Sequence, residues 1–154
     1  MLLDAATGNV VRRLDDVRLL ALSPDGSRIL TETVNAQPLD DVNVWDTATG
    51  NLLHSISIPA ALRDQLLAFD PRAVGIEKYF DPAFSRDGRL VARTLVGNAG
   101  GPVTIVWSVE SESVEFVAWG LGGAKFSPDG TLLAGSRFDI DRPDTPYQVA
   151  VYEL

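Results

Sequence analysis

Three copies of one turn motif, Ser23-Pro24-Asp25-Gly26, Ser85-Arg86-Asp87-Gly88 and Ser127-Pro128-Asp129-Gly130, constrain this chain more than any other feature. Each copy follows an apolar residue (Leu22, Phe84, Phe126) and precedes an apolar stretch (Ile29-Leu30, Leu90-Val91-Ala92, Leu132-Leu133-Ala134). Proline at the second place presets φ and glycine at the fourth accepts positive φ, so the motif is a hairpin turn between two strands. Trp45 lies 22 residues beyond Ser23, and Trp107 lies 22 beyond Ser85; from Ser127 the step is 25 and reaches Tyr152. These aromatics end Val42-Asn43-Val44-Trp45, Thr104-Ile105-Val106-Trp107 and Val149-Ala150-Val151-Tyr152. Such β-branched and aromatic stretches fit a pleated, buried surface.

A second turn follows the first tryptophan, Asp46-Thr47-Ala48-Thr49-Gly50-Asn51, and the chain start repeats it as Asp4-Ala5-Ala6-Thr7-Gly8-Asn9. Ser108-Val109-Glu110-Ser111-Glu112 keeps the position and loses the glycine. Asp4 to Ser23 and Ser108 to Ser127 are both 19 residues apart, whereas Asp46 to Ser85 is 39, so one connection carries a 20-residue insertion. A fixed period marks a repeat architecture. The order apolar strand, Ser-Pro-Asp-Gly, apolar strand, Val-Trp-Asp-Thr-Ala-Thr-Gly, apolar strand resembles the tryptophan–aspartate (WD) repeat family over nearly the whole chain outside the insertion. The resemblance implies that each repeat supplies a four-stranded antiparallel blade of a β-propeller. Two features depart from the family. No Gly-His pair precedes the first strand of any copy, and the only histidine, His54, lies in a fourth strand, so the family's histidine-centred network does not carry over. Lactonase-like propellers also use Asp-Thr-Ala-Thr-Gly turns, and peptidase-associated propellers use Ser-Pro-Asp-Gly.

The expected fold is therefore all-β: residues 1–154 form one domain of three WD-like blades, about 17–58, 80–119 and 122–154, with an inserted loop at 59–79. With strands lettered a to d, blade one takes 17–23, 28–34, 42–46 and 52–58, and blade two takes 80–85, 89–96, 103–108 and 113–119. Blade three takes 122–127, 131–138 and 147–154 and has no fourth strand. Leu2-Leu3-Asp4 reads as the end of a third strand, and residues 10–14 as an unattached fourth one. In WD propellers an N-terminal outer strand completes the last blade. Three blades are too few for a ring, because propellers have about four to eight. The expectation is a partial propeller, or half of a six-bladed ring in which a homodimer exchanges strand 10–14.

Antiparallel order sends the a–b and c–d turns to one end of a blade and the b–c and d–a connections to the other. The first set is short and regular. The second holds Asn35–Asp41, the insertion, Gly97–Pro102 and Asp139–Pro146. Irregular loops on a rigid scaffold are where recognition concentrates. A protein partner is expected on this b–c and d–a face, with Asp40, Asp41, Leu62, Arg63, Leu66, Arg142 and Asp144 as candidate contacts. Leu62, Leu66 and Phe69 recur at i, i+4, i+7 within Ala60–Phe69 after Pro59, which predicts a short amphipathic helix. That helix either docks a partner or folds its apolar side onto the propeller rim.

A net charge of −8 with no local Lys/Arg cluster argues against nucleic acid. No apolar run approaches 18 residues and no secretory signal is visible at Met1-Leu2-Leu3-Asp4, so no membrane contact and a cytoplasmic location are expected. Cysteine is absent, which removes disulfides and thiolate metal sites. The acidic run Asp139–Asp144 fails as a calcium loop, because Asp144 occupies the place that needs glycine and Arg142 neutralises part of the charge. His54 alone offers neither a zinc ligand set nor a partnered nucleophile. Ser136 sits in no Gly-x-Ser-x-Gly elbow and aligns with Thr94, and the glycines of Gly97–Pro102 open no helix. No catalytic residue, metal or cofactor is expected. The function implied is a non-catalytic interaction scaffold; the alternative is a fragment of a lactonase-like or peptidase-associated propeller enzyme.

Overall fold

A computed structural model describes residues 2–3, 6–36, 39–69, 78–97, 101–137 and 148–154. Strands β3 (Val17–Leu22), β4 (Arg28–Thr33), β5 (Val42–Asp46) and β6 (Leu52–Ile56) pair in sequence order as blade one. Helix α1 (Ala60–Phe69) follows in the insertion. Blade two is β7 (Lys78–Phe84), β8 (Leu90–Gly97), β9 (Gly101–Ser108) and β10 (Val114–Trp119). Blade three holds β11 (Leu121–Phe126), β12 (Leu132–Arg137) and β13 (Gln148–Glu153), with no fourth strand among the described residues.

The Ser-x-Asp-Gly turns owe their shape to one hydroxyl and one carboxylate. Ser23 Oγ donates to Asp25 Oδ1 at 2.7 Å and accepts from the Arg28 amide at 2.8 Å, while the Gly26 amide reaches Ser23 O at 2.9 Å. Ser85 repeats the set with Asp87 and the Leu90 amide, and Ser127 repeats it with Asp129 and the Leu132 amide. Gly26 has φ of 73° with open space around its missing Cβ, so backbone conformation alone demands glycine there. The second turn works alike: Asp46 Oδ1 accepts from the amide and hydroxyl of Thr49 at 2.6 and 2.7 Å. Where that turn lacks glycine, Glu112 adopts φ of 56° in its place.

Cross-strand register confirms the alignment of the aromatics. Leu22, Ile29, Trp45 and Leu52 form one row across blade one, and Phe84, Val91, Trp107 and Val114 form the same row in blade two. Phe126, Leu133 and Tyr152 form it in blade three. Since alternate residues of a strand point to opposite faces, each blade has a first face carrying this row and a second face built on Leu30 and Val44, Ala92 and Val106, or Ala134 and Val151. The first faces of blades two and three pack on the second face of the blade before them. Trp107, Val91 and Phe84 cluster with Leu30, Val44 and Ile56, and Leu133 and Tyr152 cluster with Ala92 and Val106. Trp107 is fully buried and its indole N–H donates to Ser57 O at 3.3 Å, whereas Trp45 and Tyr152 are half-buried. Gly135 is set by packing: a Cβ there would lie 2.9 Å from both Gly122 O and Leu121 Cδ1.

The N-terminal segment follows the reading of a third strand that runs into a fourth, and within one copy the strand expected at 10–14 does not reach blade three. Strand β2 (Val10–Arg12) pairs antiparallel with β1 (Leu2–Leu3), the neighbour reached through a tight turn with Gly8 at φ of 71°. Local closure needs little chain ordering, whereas β13 lies across two seams. The β1–β2 pair is itself the c–d half of a blade. Its register slips at Val11, as the c–d pairs of blades one and two slip at Leu53 and Glu115.

Candidate interaction face

Two connections meet at the b–c end of the seam between blades one and two. Arg63, on α1, donates from Nη2 to the carbonyl of Leu39 at 2.6 Å, tying the insertion to the b–c connection of blade one. Arg93, in β8, reaches the neighbouring Asp40 carbonyl at 3.5 Å and the Glu32 carboxylate at 3.1 Å. Arg93 and Glu32 are both buried, and the half-exposed Arg18 binds the second oxygen of Glu32 from the a strand. A buried carboxylate flanked by two guanidinium groups keeps its charge compensated and fixes the two blades in register. The loop at Leu39–Asp40 therefore rests on a rigid ionic base. At the same end the Gly120 amide donates to Pro102 O at 2.8 Å, joining the b–c connection of blade two to the passage into blade three.

Of the candidate contacts, Asp40 and Arg63 are brought together by this network, and Asp41 is exposed beside them. Leu66 is buried and Leu62 half-buried, both against the core formed by Leu39, Ile58 and Trp107. The helix thus folds its apolar side inward, because those leucines cover the end of the blade one–two core, and Leu66 presents no surface to a partner. Arg142 and Asp144, with the acidic run around them, lie outside the described residues. His54 is half-buried in β6 with Nδ1 3.1 Å from Glu112 Oε1, a strand-to-turn link between blades. Among the described residues no group of three or more histidine, cysteine or acidic side chains gathers as a metal site would require.

Sequence reasoning missed a feature at the opposite end. Arg28 spans the first seam and donates to Gly88 O at 2.8 Å. Leu90 takes the equivalent place at the second seam, and a cleft of about 520 Å³ opens there between Asp87, Arg89, Ser108, Glu115, Phe116 and Glu153. Comparing Arg28 with Leu90 in the repeat alignment was the available signal. At this same end, Asp25 and Asp129 are held down to about 2, first by the Ser23 and Ser127 hydroxyls and then by backbone amides. Asp87 and Asp46 are lowered too, chiefly by Ser85 and Thr49.

Antiparallel blades stacked face to face through repeated rows define this fold as a β-propeller. Among solved structures the chain is similar to a TolB-like protein from Agrobacterium tumefaciens, with 19% sequence identity and a TM-score of 0.54 over 90% of this chain. The match covers 46% of that protein, so the chain spans about half its length, and the likeness is one of fold. No protein-family model matches the sequence, and no curated protein matches it.

Proposed function

We propose that the chain is a non-catalytic protein-interaction scaffold of the WD-repeat kind, taking a protein partner on the end that carries the b–c and d–a connections. The observation that supports this reading is the anchoring of α1 and the Leu39–Asp40 loop to the buried Arg93–Glu32 pair. Loops fixed before binding lose little conformational freedom on association, which favours affinity. The surface they present includes Val34 and Asp41 from the connection and Asp64 and Gln65 from the outer side of α1, all exposed. An apolar residue among carboxylates suits a partner surface with a basic rim and an apolar centre.

Two measurements test the reading. Cross-linking in producing cells, followed by purification of the captured protein and calorimetry, should give a defined pair whose dissociation constant rises at least about tenfold with Asp41→Lys, a loss of roughly 1.4 kcal/mol. An unchanged constant removes this face from the interface. Purified protein should also show no saturable turnover of chromogenic esters or lactones, and turnover that follows the protein through purification overturns the non-catalytic assignment.

A further inference from the structure

The three Ser-x-Asp-Gly turns share one chemical liability and differ in how firmly they contain it. Aspartate followed by glycine is open to backbone rearrangement, because glycine has no side chain to shield its amide nitrogen from the aspartate Cγ. In every turn that nitrogen is engaged: the amides of Gly26, Gly88 and Gly130 donate to the carbonyls of Ser23, Ser85 and Ser127 at 2.9, 2.9 and 3.0 Å. The hold on the carboxylate is unequal. Asp25 accepts from the Ser23 hydroxyl at 2.7 Å, the Ser27 amide at 3.0 Å and the Ser27 hydroxyl at 2.8 Å. Asp129 accepts from the Ser127 hydroxyl, the Thr131 amide at 3.1 Å and the Thr131 hydroxyl. Asp87 accepts from the Ser85 hydroxyl at 2.7 Å and the Arg89 amide at 3.1 Å, and the residue after its glycine carries no hydroxyl. The Ser85 hydroxyl also lies 3.4 Å from a second acceptor, the Leu90 carbonyl. Arg86 stands where the other turns have Pro24 and Pro128, so no ring fixes φ beside Asp87. All three aspartates are exposed to water.

We infer that the Asp87–Gly88 bond is a site of spontaneous isoaspartate formation, and that the turns at Asp25 and Asp129 are held against the same reaction. The Gly88 nitrogen bonds to Asp87 Cγ, and the carboxyl hydroxyl leaves with the amide proton as water, which closes a five-membered succinimide. Water then opens the ring. Cleavage at the Cα-side carbonyl leaves Cγ in the main chain as isoaspartate, and cleavage at Cγ restores aspartate. The reacting form is the neutral acid, so each donor to the ionised carboxylate reduces the reactive share and fixes the group's orientation. Asp25 and Asp129, held at about 2, both count the hydroxyl after the glycine among the causes; Asp87 is lowered without one. The product has one more main-chain methylene between Asp87 and Gly88. Gly88 O is the acceptor that Arg28 Nη1 reaches across the first seam at 2.8 Å, so the rearrangement slackens the join between blades one and two.

Incubation of the full chain for several weeks at neutral pH and body temperature, followed by peptide mapping, tests the proposal. Chymotrypsin cuts beside Leu22 and Leu30, Phe84 and Leu90, and Phe126 and Leu132, so each turn is released in its own peptide. Electron-based fragmentation distinguishes isoaspartate from aspartate at equal mass. In the native chain isoaspartate should accumulate at position 87 at least about threefold faster than at 25 or 129, as the missing donor implies. In concentrated urea the three rates should converge, since the hydrogen bonds are then gone and each site is an Asp-Gly bond. The double variant Arg86→Pro, Arg89→Thr gives the second turn the side chains of the third and should slow Asp87 to the rate of Asp129. Ser23→Ala should speed Asp25. Should the double variant lose its native circular dichroism, the wild-type comparison and Ser23→Ala decide. Absence of isoaspartate at 87, an equal or faster rate at 25 or 129, a native order that persists in urea, or a folded double variant that keeps the wild-type rate each overturns the proposal.

Discussion

Asp25 and Asp129 carry the most legible residue-scale information, because one side chain both shapes the turn and titrates. Their pKa near 2 in the folded chain, against an ordinary 3.8, reflects hydrogen bonds to the ionised form from the serine hydroxyl and the following amides. A carboxyl depressed on folding stabilises the native state above its unfolded pKa, and the contribution fades as pH falls toward the folded value. The thermal midpoint should therefore drop between pH ~4 and ~2. A Ser23→Ala, Ser127→Ala double variant, which removes the leading donor at both turns, should show a shallower fall across that window in calorimetry. An equal slope would show that these hydroxyls do not hold the carboxylates. The turn itself was readable because Ser, Asp and Gly each have a local job. Gly135 was not, since its constraint comes from Gly122 and Leu121 on the neighbouring strand.

For single elements, sequence period sets extent more firmly than orientation. The i, i+4, i+7 pattern located α1 at Ala60–Phe69, the bounds observed, yet the same pattern serves a helix that docks a partner and one that folds back. What decides is the neighbourhood, Leu39 in particular, which lies more than 20 residues from the helix in sequence and is brought against it by the b–c connection of blade one. Leu66→Ala should accordingly destabilise the protein by about 2–5 kcal/mol, the range for truncating a buried leucine, measured by urea unfolding. Asp64→Ala, on the exposed side of the same helix, should stay within about 0.5 kcal/mol of wild type. Equal effects at the two positions would place Leu66 at the surface. Strand β1 illustrates the other limit: two residues are too few for any period, and its role was readable only from the Asp4–Asn9 turn that repeats Asp46–Asn51.

Across the whole molecule, stability depends on seams between repeats, and seams are what a repeat alignment does not display. The aromatic rows could be read ahead because every copy carries one. The Glu32–Arg93 pair occurs once, joins residues 61 positions apart, and has no counterpart among the described residues of the second seam, where Thr104 Oγ1 instead donates to Leu121 O at 2.8 Å. Removing one member strands a buried charge, and such losses run to about 3–5 kcal/mol. Glu32→Gln leaves Arg93 facing a neutral amide deep in the seam and should approach that range. Arg93→Met should weaken the protein less, because Arg18 still neutralises Glu32. The double variant Glu32→Gln, Arg93→Met removes both charges and keeps most of the volume, so it should cost less than the sum of the single changes. That non-additivity marks direct coupling between contacting residues. Urea unfolding of all four proteins reads the cycle, and additive losses would mean that Glu32 and Arg93 supply no direct coupling across the seam.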